Sequence, residues 1–216
     1  DTAALEAQAE EQRYTDPLGA SAIYEELAEG SLNLNDKVSY RIEAASLAVV
    51  GGDLARAEEQ YKIALTDASI DARLAADVRL HIANFYYDRG QFEQAIAVVQ
   101  DSLLSDGISS EVRGRTVMLV RKSRVSSGLD ADGDAGVEQM FENLKSSPEA
   151  LADVGMELAE QMASTGETES ALARLDMISG MTLPPDQTLR LLEARARILD
   201  RAGRMSEAAE VWDSLI

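Results

Sequence analysis

Small and bulky apolar residues recur in a fixed order along this chain. In "YYDRGQFEQAIAVV" (residues 86–99) an apolar segment runs to a glycine, an alanine follows five residues later, and a bulky apolar residue stands four beyond it. The same order returns in "VVGGDLARAEEQY", "MASTGETESALARL" and "LDRAGRMSEAAEVW". The glycines are Gly52, Gly90, Gly128, Gly166 and Gly203, separated by 38, 38, 38 and 37 residues. Seven residues before four of them stand Ala45, Ala83, Ala159 and Ala196. Five residues after the same four stand Ala57, Ala95, Ala171 and Ala208, and nine after them Tyr61, Val99, Leu175 and Trp212.

This order predicts a helix–turn–helix unit. The glycine supplies the left-handed conformation that ends the first helix. The alanines on either side of the turn let two antiparallel helices approach closely. The bulky residue shares a helical face with the second alanine and fills the space beside it. One such pair cannot bury its apolar stripe alone, so pairs must stack. No long Val/Ile/Thr run alternates with period two, which argues against strands.

The repeat resembles the tetratricopeptide (TPR) family. "LHIANFYYDRGQFEQAIAVVQDSL" matches best, followed by "EAASLAVVGGDLARAEEQYKIAL", "GMELAEQMASTGETESALARLDMI" and "LEARARILDRAGRMSEAAEVWDSL". The family period is about 34 residues; the longer period here implies an extra helical turn or a longer linker in each unit. The resemblance implies an all-α, right-handed solenoid of antiparallel helix pairs with about six hairpins. The expected division is residues 1–37 as an N-terminal helical hairpin, a cap or the end of a longer array, then TPR-like repeats over 38–216. The repeats are drawn at 38–75, 76–110, a degenerate 111–148, 149–184 and 185–216. In the N-terminal pair, Asp16 is placed to cap a helix opening at Pro17.

Charge narrows the choice of ligand. The 216 residues carry 39 acids and 20 bases, a net charge of −19. Such a surface gains nothing from counterion release and argues against nucleic acid. The excess of acid over base falls in two blocks, 1–36 and 128–186, flanking a balanced middle. A basic protein or peptide is the partner such blocks would attract. No apolar run approaches a membrane span. There is no cysteine, so disulfides, thiol catalysis and cysteine-ligated metals are excluded. The start at Asp1 and the lack of cysteine lean toward a periplasmic or exported location, with a cytoplasmic one left open.

Candidate chemistry is sparse. His81 is the single histidine, and neither a nucleophile elbow nor a phosphate-binding glycine loop is present. The chain therefore reads as non-enzymatic and without a cofactor. In the degenerate unit, Arg113, Arg115, Arg121, Lys122 and Arg124 crowd one helix. They read as a solvated face with extended side chains or as a basic patch for a carboxylate or phosphate. Asp130, Asp132 and Asp134 have the spacing of the first calcium-loop ligands. An EF-hand needs glycine sixth and glutamate twelfth, and Ala135 and Phe141 occupy those places. An acidic turn, with its last aspartate capping a helix, is the expectation.

Binding is what remains. Stacked hairpins present an extended surface lined by the first helix of each pair. The candidates on it are Leu80, Asn84, Tyr87, Asp88, Met118, Lys122 and Arg197. Chaperone-binding relatives hold a terminal carboxylate with lysine and asparagine on this face; Asn84 has such a place, but Leu80 stands where a lysine is wanted. The expected role is an interaction scaffold for a protein or peptide, of the kind found in bacterial envelope, secretion or motility complexes. A repeat domain of a larger enzyme or regulator is the alternative, as is self-assembly into a homo-oligomer through the C-terminal helix. The reading makes one direct demand on packing. Ala95→Glu should place an unpaired charge between two helices and destabilise the protein by roughly 3 kcal/mol or more, which chemical denaturation will measure.

Overall fold

The computed structural model describes residues 1–105, 107–131, 133–145 and 147–215. Among them are twelve α-helices and no strand. The chain divides into two compact units of three helical hairpins each. The first unit holds α1 (Thr2–Gln12), α2 (Pro17–Gly30), α3 (Leu34–Val50), α4 (Leu54–Ala68), α5 (Ala72–Asp88) and α6 (Phe92–Val99). The second opens with a 3-10 segment, Gln100–Leu104. It continues with α7 (Ser110–Ser126), α8 (Asp134–Leu144), α9 (Pro148–Ser164), α10 (Thr168–Ser179), α11 (Pro185–Arg201) and α12 (Met205–Asp213). This is the expected all-α, TPR-like architecture of stacked helix pairs.

The period is written into the first helices. α3, α5, α7, α9 and α11 are each 17 residues long. In all but the degenerate unit, three residues separate each of these from its partner. The long period is thus taken up by helix and not by long turns within the hairpin. Side-chain caps fix several starts. Asn33, Asp53 and Asp71 each accept hydrogen bonds from backbone N–H groups one turn on, and Asp16 accepts from Gly19 ahead of Pro17 as expected.

All five repeat glycines have positive φ, between 71° and 90°. The residue after each donates its backbone N–H to a carbonyl in the last turn of the first helix. The bonds are Asp53 to Ala48, Gln91 to Tyr86, Leu129 to Arg124, Glu167 to Met162 and Arg204 to Leu199, at 2.9–3.1 Å. This is the Schellman closure, which satisfies a carbonyl that the helix end would otherwise orphan.

The small residues on both sides of the turn are buried. Ala45, Ala83, Ala159 and Ala196 are fully covered, as are Ala57, Ala95 and Ala171. Tyr61, Val99 and Leu175 are buried beside them. In the first unit Tyr61 packs on Phe85 with ring centroids 5.4 Å apart. Around them Val38, Ala48, Ala64, Val78 and Ile82 form one core, and a second gathers Ala9, Ala20, Tyr24, Leu27, Ala44 and Leu47. The second unit buries Val117, Val137, Val154, Leu158, Met162 and Ile198. Trp212 departs from its register partners and is 37% exposed. It lies on α12, with no later helix among the described residues to cover it, and its indole N–H donates to Asp200 at 3.1 Å.

The degenerate unit follows a different rule. Its turn is longer, Gly133 with φ 78° caps α8, and Asp134 becomes the first helical residue instead of the cap. Val137 and Phe141 then take the places of alanine and bulky residue, and both are buried.

Two glycines separate the effect of the turn from that of size. Gly90 has φ +71° and open space where a Cβ would stand, so Gly90→Ala meets strain alone. It should cost about 1–2 kcal/mol. Gly30 ends α2 without positive φ and also faces open space, so Gly30→Ala should stabilise by about 0.4–1 kcal/mol. Opposite shifts in urea midpoint are the expected pair of results.

Candidate functional site

Among the described residues, three of the grooves between helices within the units bear on binding. The first is built by α3, α4 and α5 and encloses about 320 Å³. Its apolar wall is Val49, Leu54, Tyr61 and Phe85; Ser46, His81, Asn84, Asp88 and Arg89 add polar groups. The Tyr61 hydroxyl stands 3.5 Å from Ser46 Oγ, and burial pushes its phenol pKa up. The Arg89 guanidinium lies over the Phe85 ring, 5.2 Å from its centroid. This groove therefore combines an apolar floor with donors, acceptors and one charge of each sign.

The helical register explains which expected residues arrive here. His81, Asn84, Phe85 and Asp88 follow the i, i+3, i+4, i+7 spacing of a single face. Of the stripe expected from the sequence, Leu80, Asn84, Tyr87 and Asp88, the residues Asn84 and Asp88 line this groove and Leu80 and Tyr87 do not. Leu80 is 2% exposed and offers no surface. The cause is that α5 is buried on two faces, one carrying Ala75, Val78, Ile82 and Phe85 and the other Ala76, Leu80 and Ala83. Tyr87 stacks on Phe92 with centroids 5.4 Å apart and is not a wall of the groove. Asn84 and Asp88 are walls, and the Asn84 amide nitrogen also donates to Leu80 O at 2.9 Å. Ser46, Val49 and Leu54 escape a reading by repeat register, because they come from the preceding hairpin and meet α5 only on packing.

In the second unit, Met118 and Lys122 are half-buried on α7. Arg197 is exposed on α11 and pairs with Glu160 at 2.9 Å and Glu193 at 3.9 Å. A second groove of about 250 Å³ lies between α8, α9 and α10, walled by Phe141, Leu151, Met177, Ile178 and Met181. Arg174 crosses it, 4.8 Å above the Phe141 ring, with Nη1 donating to Glu138 at 2.7 Å. Gly155 forms part of its wall because a Cβ there would come within 2.5 Å of Ile178. The third groove lies between α2, α3 and α4 and is polar.

The basic helix takes its carboxylates from its own unit. Arg121 stands seven residues before Gly128, where other units carry alanine, and its side chain is 14% exposed. Its two terminal nitrogens donate to the two Glu167 oxygens at 2.9 and 2.7 Å, and its Nε donates to Asp134 at 3.2 Å. Arg124 Nε donates to Asp130 at 3.4 Å, and the same Asp130 oxygen accepts from Gly136 N. Two acids of the calcium-like spacing are thus engaged by arginine. Asp132, the third, lies outside the described residues. The arginine fork lowers the Glu167 pKa below its ordinary value.

No known family profile matches the chain, and no curated protein matches it. Among solved structures it is similar to the nearly identical TPR-like repeats of a kinesin light chain sequence from Podosopora anserina. Identity is 14%, the TM-score is 0.38, and the match covers 97% of this chain and 90% of that one. A variant of the same protein with one residue replaced gives 14% identity and a TM-score of 0.38, over 98% and 91%. The TPR-like description of the present chain rests on its own hairpins and glycine turns. Among the described residues no helix is long and apolar enough to cross a membrane.

The Arg121–Glu167 pair carries a pH signature. A carboxylate with a depressed folded pKa contributes stability that is present above its unfolded value and lost as pH falls through the folded one. Arg121→Met should therefore destabilise by roughly 2–3 kcal/mol at pH 7. The gap to the wild type should narrow below about pH 4, read from melting temperatures across a pH series.

Proposed function

We propose that this protein is a non-enzymatic interaction scaffold that holds a peptide or protein segment in the groove between α3, α4 and α5. The observation that carries the reading is the composition of that groove: Val49, Leu54, Tyr61 and Phe85 as apolar wall, with His81, Asn84 and Asp88 beside it. An apolar anchor flanked by a few orienting hydrogen bonds is how peptide grooves combine affinity with selectivity. The walls come from two consecutive hairpins, so a bound segment would bridge neighbouring repeats. Catalysis has little to build on, since the chain has no cysteine and His81 is its only histidine. The net charge of −19 favours a basic partner and faster encounter at low salt.

A peptide-display selection against the wild-type protein tests this. Val49 is 38% exposed at the groove, so Val49→Arg should leave the fold intact while blocking entry. Together with Asn84→Ala it should weaken selected peptides at least tenfold, with the circular dichroism spectrum unchanged. Selected peptides that bind the double variant at full affinity would place recognition elsewhere.

A further inference from the structure

The hairpin of α11 and α12 leaves open a face that is covered on earlier hairpins. Leu189 stands fourteen residues before Gly203, the place held by Val38, Ala76 and Ala152 before Gly52, Gly90 and Gly166. Those three are buried, whereas Leu189 is 46% exposed. Trp212, 37% exposed, stands where Tyr61, Val99 and Leu175 are buried. Met205 stands two residues after Gly203, as Leu54 does after Gly52, and is 63% exposed. Met205 and Trp212 are seven residues apart and share one face of α12.

The earlier hairpins show what covers this face. In the first unit Val38, Tyr61 and Phe85 belong to one core, and Leu54 and Tyr61 share a groove with Phe85. Phe85 lies on α5, so the covering element is the first helix of the next hairpin. The second unit adds a charged contact at the same kind of face. Arg195 of α11 pairs with Asp176, ten residues after Gly166 on α10. Arg174, Arg190, Arg197 and Arg204 likewise reach back to an acid of the preceding hairpin. Asp213 repeats the place of Asp176, ten residues after Gly203, and is exposed. Among the described residues no helix fills the corresponding place beside α11 and α12.

We infer that the face of α11 and α12 takes an amphipathic helix of a partner protein, its apolar stripe over Leu189, Met205 and Trp212 and an arginine against Asp213. Large apolar side chains exposed together mark an interaction surface. A helix with apolar residues three and four apart presents the matching stripe. The contact continues the interface that already joins one hairpin to the next, with the same acid-to-arginine polarity. A second copy is disfavoured as occupant, because chains of net charge −19 repel one another. The site belongs to the second unit, and the α3–α4–α5 groove to the first.

The probe is a capped synthetic peptide with the sequence of residues 184–202, which includes the helix lying against α10, titrated into the intact protein. Trp212 is the only tryptophan of the chain and the peptide has none, so the emission reports this face directly. Binding should shift that emission to the blue and saturate. Leu189→Glu should weaken the peptide at least tenfold by calorimetry. Asp213→Arg should weaken it at least threefold, and a peptide carrying Arg195→Glu should recover that loss. Glu11→Arg, the same charge change on α1, should alter binding less than twofold. Leu189, Asp213 and Glu11 are all exposed, so these variants keep the fold. No emission shift would overturn the assignment, as would equal losses from Glu11→Arg and Asp213→Arg, which would reduce the effect to net charge. A loss in the variant with Val49→Arg and Asn84→Ala would move the peptide to the α3–α4–α5 groove. Sedimentation should find the wild type monomeric; a dimer dissociated by Leu189→Glu would make the occupant a second copy and overturn the partner helix.

Discussion

The left-handed glycine that follows each of α3, α5, α7, α9 and α11 is the constraint on which the rest of the structure depends. With φ between 71° and 90°, these five residues reverse the chain while the following N–H caps the helix end. The reversal is short, so the partner helix starts within a few residues and must pack closely. Close packing in turn demands small residues on both sides, and Ala45, Ala57, Ala83 and Ala95 supply them in the first unit. Only then do Tyr61 and Val99 find space to fill. Removing the positive φ at one glycine therefore strains the turn and the spacing of the two helices it joins.

The degenerate unit shows what happens when the small residue is replaced by a large charged one. Arg121 occupies the alanine position and is held by Asp134 and Glu167. The turn lengthens, and Val137 and Phe141 assume the filling role. Apolar contact is partly exchanged for a forked ion pair. Such a pair is strong when satisfied from two sides and costly when one partner is lost. Ion pairs between successive repeats recur elsewhere in each unit, as Arg56 with Glu25, Arg174 with Glu138, Arg190 with Asp153 and Arg204 with Glu169. They fix register between hairpins whose apolar surfaces are dominated by interchangeable alanines.

Grooves arise where this packing leaves helices apart. In the first unit the α3–α4–α5 groove has apolar walls and the α2–α3–α4 groove has charged ones. Their chemistry differs because the bulky residues point into the hairpin stack at Tyr61 and Phe85. Near Arg41 the buried position is itself charged.

The sequence by itself determined the hairpin period, the glycine turns, the helix class and the alanine contacts. Each of these is local: a positive φ requires glycine, and residues four apart share a helix face. It also determined the excess of acid. Only tertiary structure decided which of the remaining residues reach a surface. Leu80 and Asn84 lie four apart on α5, yet Leu80 is buried because α5 is covered on two faces. Arg121 and Glu167 are 46 residues apart, and nothing local pairs them. Ser46 and Val49 join the groove of His81 and Asp88 only once α3 packs beside α5. Helical periodicity specifies which residues share a face. Which face stays open depends on every neighbouring helix, and that information is spread across the whole unit.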